Sequence, residues 1–386
     1  MYTIKTLNKI ADCGLNELPS KKFNISDTEE NPDGIILRSY LLPEEELNPG
    51  LLAIGRAGVG VNNIPVDVCT EKGIVVFYAP GANANGVKEL VVAALLMASR
   101  DIVGGVNWVQ GLAGETGVAK TVEKGKAEFT GPELSGKTLG VIGLGAIGGP
   151  VANVSRYLGM TVVGHDPYLS VDSAWGLSSG VKRAADEDSL LAECDYISIH
   201  MPLTPETKGK FNKEFFAKCK KGVRIINTSR AEIVDDEALL EAIDNGTVFC
   251  YVTDFPNEKL LGHKRIVTIP HLGASTPEAE DNCAIMAATE LREYLLYGNI
   301  KNSINFPDCV IPYVGKRRIC IIHRNVAKVI SLITALLADR SINIANMVNK
   351  SRGEYAYTLL DVDCDNLEGI ETEINSLENI IKVRVI

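Results

Sequence analysis

One segment constrains this chain more than any other. The apolar run Thr138-Leu139-Gly140-Val141-Ile142 leads into Gly143-Leu144-Gly145-Ala146-Ile147-Gly148, and a second strand-like segment, Met160 to His165, ends at Asp166. The order is strand, glycine turn, helix, strand and acid. In that order Gly143 permits the tight turn, Gly145 lets the backbone approach a pyrophosphate, and Gly148 lets the helix pack closely on the strand with its positive N-terminus toward the phosphates. Asp166 would accept hydrogen bonds from the adenosine ribose and repel a 2′-phosphate, so NAD is expected over NADP. The competing account is a glycine turn in an α/β domain that binds nothing. The acid about 20 residues beyond the turn argues against it.

With 386 residues the chain is long enough for two or three domains with well-buried cores. A hydrophobic content of 46% and a charged content of 23% are those of an ordinary globular protein. The net charge of −10 and the pI near 5.2 exclude a global positive field, so neither nucleic acid nor an anionic membrane is an expected partner. The start, Met1-Tyr2-Thr3-Ile4-Lys5, has no apolar signal core, and the longest aliphatic stretch, Leu90 to Ala98, is too short to span a bilayer. A cytoplasmic location is expected. Nine cysteines without C-x-x-C pairs read as reduced thiols, and no metal site is expected.

Strand-like runs at 34–37, 51–55 and 74–77 are followed by loops carrying polar or glycine residues. From about Asp101 a long helical stretch leads to the glycine turn, and further strands are expected at 196–200, 224–227, 248–253 and 266–269, separated by helical segments such as 237–245. Such alternation predicts α/β architecture: two doubly wound parallel-sheet domains, a substrate-binding one (1–100 and 272–310) and a Rossmann dinucleotide-binding one (101–271), with chemistry on loops at the strands' carboxyl ends. A third unit, 315–386, runs strand, helix, strand, strand, helix, strand. That βαββαβ order is ferredoxin-like.

Three loop residues carry the expected chemistry. Arg230 follows Asn227-Thr228-Ser229, Glu258 lies in Asp254-Phe255-Pro256-Asn257-Glu258, and His271 opens His271-Leu272-Gly273-Ala274-Ser275-Thr276. Hydride removal from a secondary alcohol needs a base for the hydroxyl proton, and a neutral histidine titrates in the useful range. A nearby glutamate would favour its protonated form, and an arginine can clamp a carboxylate through two hydrogen bonds. Together the three types suit a 2-hydroxy acid. Taken singly, they would also fit a surface ion-pair arginine, a solvated loop acid and a hydrogen-bonded loop histidine.

The motifs Gly143 to Gly148, Ser229-Arg230 with Ile233-Val234-Asp235, and Pro270-His271-Leu272-Gly273-Ala274-Ser275-Thr276 resemble those of the D-isomer-specific 2-hydroxyacid dehydrogenases. The last motif, with Asn305-Phe306-Pro307 and the small terminal unit, resembles the short branch whose chain ends in one ACT domain. The resemblance implies that His271 is the general acid/base, Glu258 its partner and Arg230 the carboxylate clamp. It implies oxidation of 3-phospho-D-glycerate at C2, with Arg38 and Ser39 at the phosphate, Gly58 and Val59 in the loop at the carboxylate, and Asn83 on the substrate. For the cofactor it points to Ala146 and Ile147 beside the pyrophosphate, Met201 and Pro202 near the adenosine, Thr228 and Asp254 at the nicotinamide, and Gly273 with Ala274. A homo-oligomer, dimer or tetramer, is expected; Lys124 and Lys126 could add phosphate charge across its subunit boundary, but a solvated charge run accounts for them better.

The same resemblance implies a serine effector held by His323, Asn325 and Asn343. Where the family carries Pro-Gly, however, this chain reads Asn325-Val326-Ala327-Lys328-Val329. Other departures are Arg230-Ala231-Glu232 in place of Arg-Gly, a loop before Glu258 one residue shorter, and Asn62-Asn63-Ile64-Pro65 in place of Asp-Asn-Ile-Asp. A reductase of glyoxylate, hydroxypyruvate or another small 2-oxo acid is the sibling alternative. A non-enzymatic NADH-sensing corepressor of the same fold is the alternative from another class.

Overall fold

The computed structural model describes all 386 residues. The chain divides into two compact units, Met1–Ala82 with Glu280–Ile386, and Asn83–Ala279. These boundaries differ from the expected 100/101 and 271/272. The helix Ala84–Ser99 accounts for the first difference, because its apolar face, Val87, Val91 and Leu95, packs with Leu139, Val141, Val151, Ile226 and Val252 of the glycine-turn unit.

That unit is a seven-stranded parallel sheet. Its strands are β6 (Thr138–Ile142), β7 (Thr161–His165), β8 (Lys182–Arg183), β9 (Tyr196–Ile199), β10 (Val223–Asn227), β11 (Val248–Thr253) and β12 (Ile266–Thr268). Their order is β12-β11-β10-β9-β6-β7-β8, with parallel pairing throughout. The order reverses between β6 and β9. Loops diverge there at the carboxyl ends, which opens the crevice where such sheets bind ligands. Instead of one long stretch after Asp101, two helices, Ile102–Gly111 and Val118–Gly125, precede β6.

The other unit holds a five-stranded parallel sheet of β1 (Tyr2–Leu7), β2 (Phe23–Ser26), β3 (Gly34–Leu37), β4 (Ala53–Arg56) and β5 (Val75–Phe77), ordered β2-β1-β3-β4-β5. It also holds an antiparallel sheet of β13 (Arg317–Arg324), β14 (Ile344–Arg352), β15 (Tyr355–Val362) and β16 (Ile380–Val385), ordered β14-β15-β13-β16. This is the expected βαββαβ module. Alternation along β13 explains its position: Ile319 and Ile321 face the helices Val329–Asp339 and Ile370–Asn375, while Cys320 and Ile322 join a core with Phe77, Leu291 and Leu295 under the parallel sheet.

The junction is also polar. Arg318, fully buried, pairs with Asp361 (Nε to Oδ1 2.6 Å, Nη2 to Oδ2 3.0 Å) and donates to the Tyr297 carbonyl at 2.7 Å. Arg384 donates to the Leu295 carbonyl at 2.9 Å, and the Tyr357 hydroxyl to the Gly298 carbonyl at 2.7 Å. These acceptors are the last carbonyls of the helix Pro277–Tyr297 and the residue after it, which have no partner within the helix. Two buried cations thus meet the negative end of a 21-residue helix.

In the terminal module the expected effector residues are engaged elsewhere. His323 is buried, its Nδ1 2.8 Å from the Arg324 carbonyl and its Nε2 2.9 Å from Thr358 Oγ1. Asn325 donates to Gly353 O at 3.1 Å, and Asn343 to Asp363 Oδ2 at 3.2 Å. His323 aligns with Ala356, whereas Ile344, next to Asn343, aligns with Val362. Asn343 and His323 therefore stand at opposite ends of the sheet within one chain.

Lys328 starts the helix Val329–Asp339 with φ of +74°, exposed and in the left-handed region. A side chain there costs about 1–2 kcal/mol, offset in part by the ~0.5–1 kcal/mol of chain entropy that glycine loses on folding. Lys328→Gly is expected to stabilise the terminal module by about 0.5–1 kcal/mol, measured by urea denaturation. A loss of stability would contradict the strain assignment.

Candidate active site

The glycine turn shows why it tolerates no other residues. Gly143 has φ of +89°, and a Cβ on it would strike the His200 carbonyl; a Cβ on Gly148 would strike the Gly143 carbonyl. Around Gly145 there is open space, and Gly145 and Ala146 are exposed, so the loop can take a ligand against its backbone. Ile147 precedes the helix Gly148–Tyr157.

Asp166 follows β7 with its carboxylate held from two sides. Oδ2 accepts the Leu144 N–H at 2.8 Å and Oδ1 accepts the Tyr168 N–H at 2.8 Å, leaving each oxygen a second lone pair. A carboxylate fixed in this way cannot swing clear of a 2′-phosphate. Like-charge juxtaposition costs several kcal/mol, so NADP is expected to be used at least about a hundredfold less efficiently than NAD. Comparable kcat/KM for the two cofactors would contradict this.

After β9 stands His200, a half-buried residue that its apolar neighbours in sequence predict as the end of a strand. Its Nε2 lies 2.8 Å from Ser198 Oγ, and burial pushes its pKa down to about 4, so the ring is neutral at physiological pH. Met201 packs against the core beside it, and the Pro202 carbonyl accepts the Thr207 hydroxyl at 2.7 Å.

The loop after β10 is organised by Asn227, a residue that sequence reasoning missed. Its side chain is fully buried; Nδ2 donates to the Arg230 carbonyl at 2.9 Å and to the Tyr251 hydroxyl at 3.1 Å, and Oδ1 accepts the Ser229 N–H at 3.0 Å. The available signal was an amide closing an apolar strand. Arg230, half-buried, donates from Nη1 to its neighbour's carbonyl, Ser229 O, at 2.7 Å.

Thr228 and Asp254 are buried, and Thr228 Oγ1 and Asp254 Oδ1 have no hydrogen-bond partner. Burial raises the pKa of Asp254, against the opposing influence of His271, the Gly273 N–H and Arg230. These two unpartnered atoms and the open glycine loop fit the polar groups of a dinucleotide. His271 is exposed on its loop, its ring 4.8 Å from that of Phe255, and Gly273 packs against Val87 and Asp254. Glu258 is exposed and makes no hydrogen bond or ion pair, so the structure does not bring it to His271. The acid that His271 influences is Asp254, whose burial-raised carboxyl it draws back toward the charged form.

The remaining expected residues sit on loops of the other unit, apart from Asn83. Arg38 and Ser39 follow β3, where Asn8 Oδ1 accepts the Ser39 and Tyr40 N–H groups at 3.1 and 2.6 Å and Asn63 Nδ2 donates to the Arg38 and Tyr40 carbonyls at 3.2 and 2.7 Å. The Arg38 guanidinium pairs with Glu280. Gly58 accepts the Ala79 N–H at 2.8 Å through its carbonyl, with Val59 half-buried beside it. Asn83 precedes the helix Ala84–Ser99, and its Oδ1 is buried without a partner.

A glycine turn at the switch point of a doubly wound sheet, followed by an arginine, a buried aspartate and a histidine at successive strand ends, is the geometry of a dinucleotide-binding unit with titratable groups at its crevice. Residues 92–273 match the model of the NAD-binding domain of the D-isomer specific 2-hydroxyacid dehydrogenases. The chain is 36% identical over 326 residues to D-3-phosphoglycerate dehydrogenase of Bacillus subtilis, covering 80% of this chain and 59% of that protein. It is 34% identical over 304 residues to the enzyme of that name from Methanocaldococcus jannaschii, covering 77% and 55%. The chain thus spans little more than half the length of these relatives. Among solved structures it resembles NAD⁺-bound 3-phosphoglycerate dehydrogenase of Entamoeba histolytica, with a TM-score of 0.60 and 26% identity over 79% of this chain and 98% of that one.

Proposed function

We propose that the chain oxidises 3-phospho-D-glycerate at C2 to 3-phosphohydroxypyruvate with NAD, the first step of L-serine biosynthesis. The observation that carries this reading is Asp254, buried with one unpartnered oxygen, its carboxyl drawn toward the charged form by His271 and Arg230 against the effect of burial. A histidine, an arginine and a buried carboxylate thus follow adjacent strands of one sheet, and this reading gives them the roles of base, carboxylate clamp and cofactor anchor. The names of the relatives favour the phosphorylated substrate, and Arg38 supplies charge for it.

In this mechanism Arg230 turns from the Ser229 carbonyl to clamp the substrate carboxylate, an exchange of a neutral acceptor for a charged one. Arg38 holds the phosphate. His271 accepts the C2 hydroxyl proton while NAD, when bound, supplies the hydride acceptor. Thr228, Asp254 and the glycine loop bind the cofactor. In this reading Glu258 partners His271 only if its loop moves toward the histidine.

The exposed apolar residues Ile102, Val106 and Val109 on the helix Ile102–Gly111 support a homo-oligomer. No helix is long and apolar enough to cross a membrane, and nine free cysteines fit a reducing cytoplasm. The terminal module reads as an ACT-type domain. With His323 engaged internally and Lys328 in place of glycine, serine is expected to inhibit weakly or not at all. Identification of 3-phosphohydroxypyruvate as the product formed with NAD tests the reading; no product would refute it.

A further inference from the structure

The Arg38 guanidinium is already engaged. Its Nη2 lies 2.8 Å from Glu280 Oε1, the two side chains being 40% and 44% exposed. Glu280 stands in the first turn of the helix Pro277–Tyr297, and one turn further on the buried Cys283 thiol senses the charges of Arg56, Arg38 and Glu280 together. Arg56 lies over Gly58, filling the space a side chain at that position would take. Two guanidiniums and one carboxylate thus share one locality, and the carboxylate is the only anion among them.

We propose that Glu280 is an internal competitor for the phosphate arm, pairing with Arg38 until a substrate phosphate displaces it. The proposal rests on the reading of Arg38 as the arm that holds the phosphate. A carboxylate brings one negative charge, whereas a phosphate brings nearly two and three acceptor oxygens, so the exchange runs toward the phosphate. The pair is half-exposed and held at a single nitrogen, which makes it easy to break. Its effect is to set the concentration at which an anion is captured. If Glu280 instead oriented Arg38 for the phosphate, removing its charge would weaken capture, the opposite sign.

The test is a double-mutant cycle on the full chain, titrating inorganic phosphate and following its phosphorus NMR signal. Glu280→Gln, which keeps the shape and removes the charge, is expected to lower the phosphate Kd about two- to fivefold, the range an exposed ion pair supports. In an Arg38→Ala background the same substitution should change nothing, because the competition acts only through that guanidinium. An unchanged or raised Kd in Glu280→Gln would overturn the proposal. So would an equal gain in the Arg38→Ala background, which would show a general charge effect. Phosphate binding indifferent to Arg38→Ala would refute the assignment of the arm itself, and the proposal with it.

Discussion

Replacing His271 by asparagine is expected to lower kcat by two or more orders of magnitude while NAD binds as before. The substitution removes the acceptor for the hydroxyl proton, and a positioned base contributes roughly 10²–10⁴-fold. Asparagine preserves hydrogen bonding and approximate volume. The histidine is exposed on its loop, with Phe255 as its ring contact, so the change opens no core. Cofactor affinity by fluorescence titration and turnover by steady-state rates separate the two roles. Near-normal turnover would rule out His271 as the base.

Arg38→Ala is expected to remove most of the preference for a phosphorylated substrate. A hydrogen bond to a charged group is worth about 1.5–3 kcal/mol, or roughly ten- to a hundredfold in kcat/KM. The loss should fall on 3-phosphoglycerate and leave D-glycerate nearly untouched, because only the former reaches the guanidinium. Arg38 sits on a loop held by Asn8 and Asn63 through backbone groups, so truncating its side chain leaves the loop in place. Equal losses for both substrates would mean that the residue supports the fold or the carboxylate rather than the phosphate.

What could be read from the sequence was whatever depends on backbone chemistry. Gly143 and Gly148 sit where a Cβ would strike a carbonyl, so the motif and the fold it implies were visible in the residue types. The strand β1 was not, because in Tyr2–Leu7 only Ile4 and Leu7 are buried and the polar residues between them mask an inner strand. The helix Ala84–Ser99 was assigned to the wrong side of a boundary, since its apolar face shows that it packs but not against what. At the site, Arg230 and His271 were named from their strand-end loops. The bonds of Asn227 and the influence of His271 on the Asp254 carboxyl depend on groups brought together by β10, β11 and the loop after β12. Arg318 and Arg384 look like solvent-facing charges in a strand until the helix end they cap is known.

The central claim is that this chain acts on a phosphorylated 2-hydroxy acid, and one ratio tests it most directly. Initial rates of NAD reduction should be measured with 3-phospho-D-glycerate and D-glycerate under identical conditions, and kcat/KM compared. The account predicts that the phosphorylated substrate is favoured by at least about tenfold, the contribution of a single charge-assisted contact. Equal efficiencies, or a preference for D-glycerate, would contradict it.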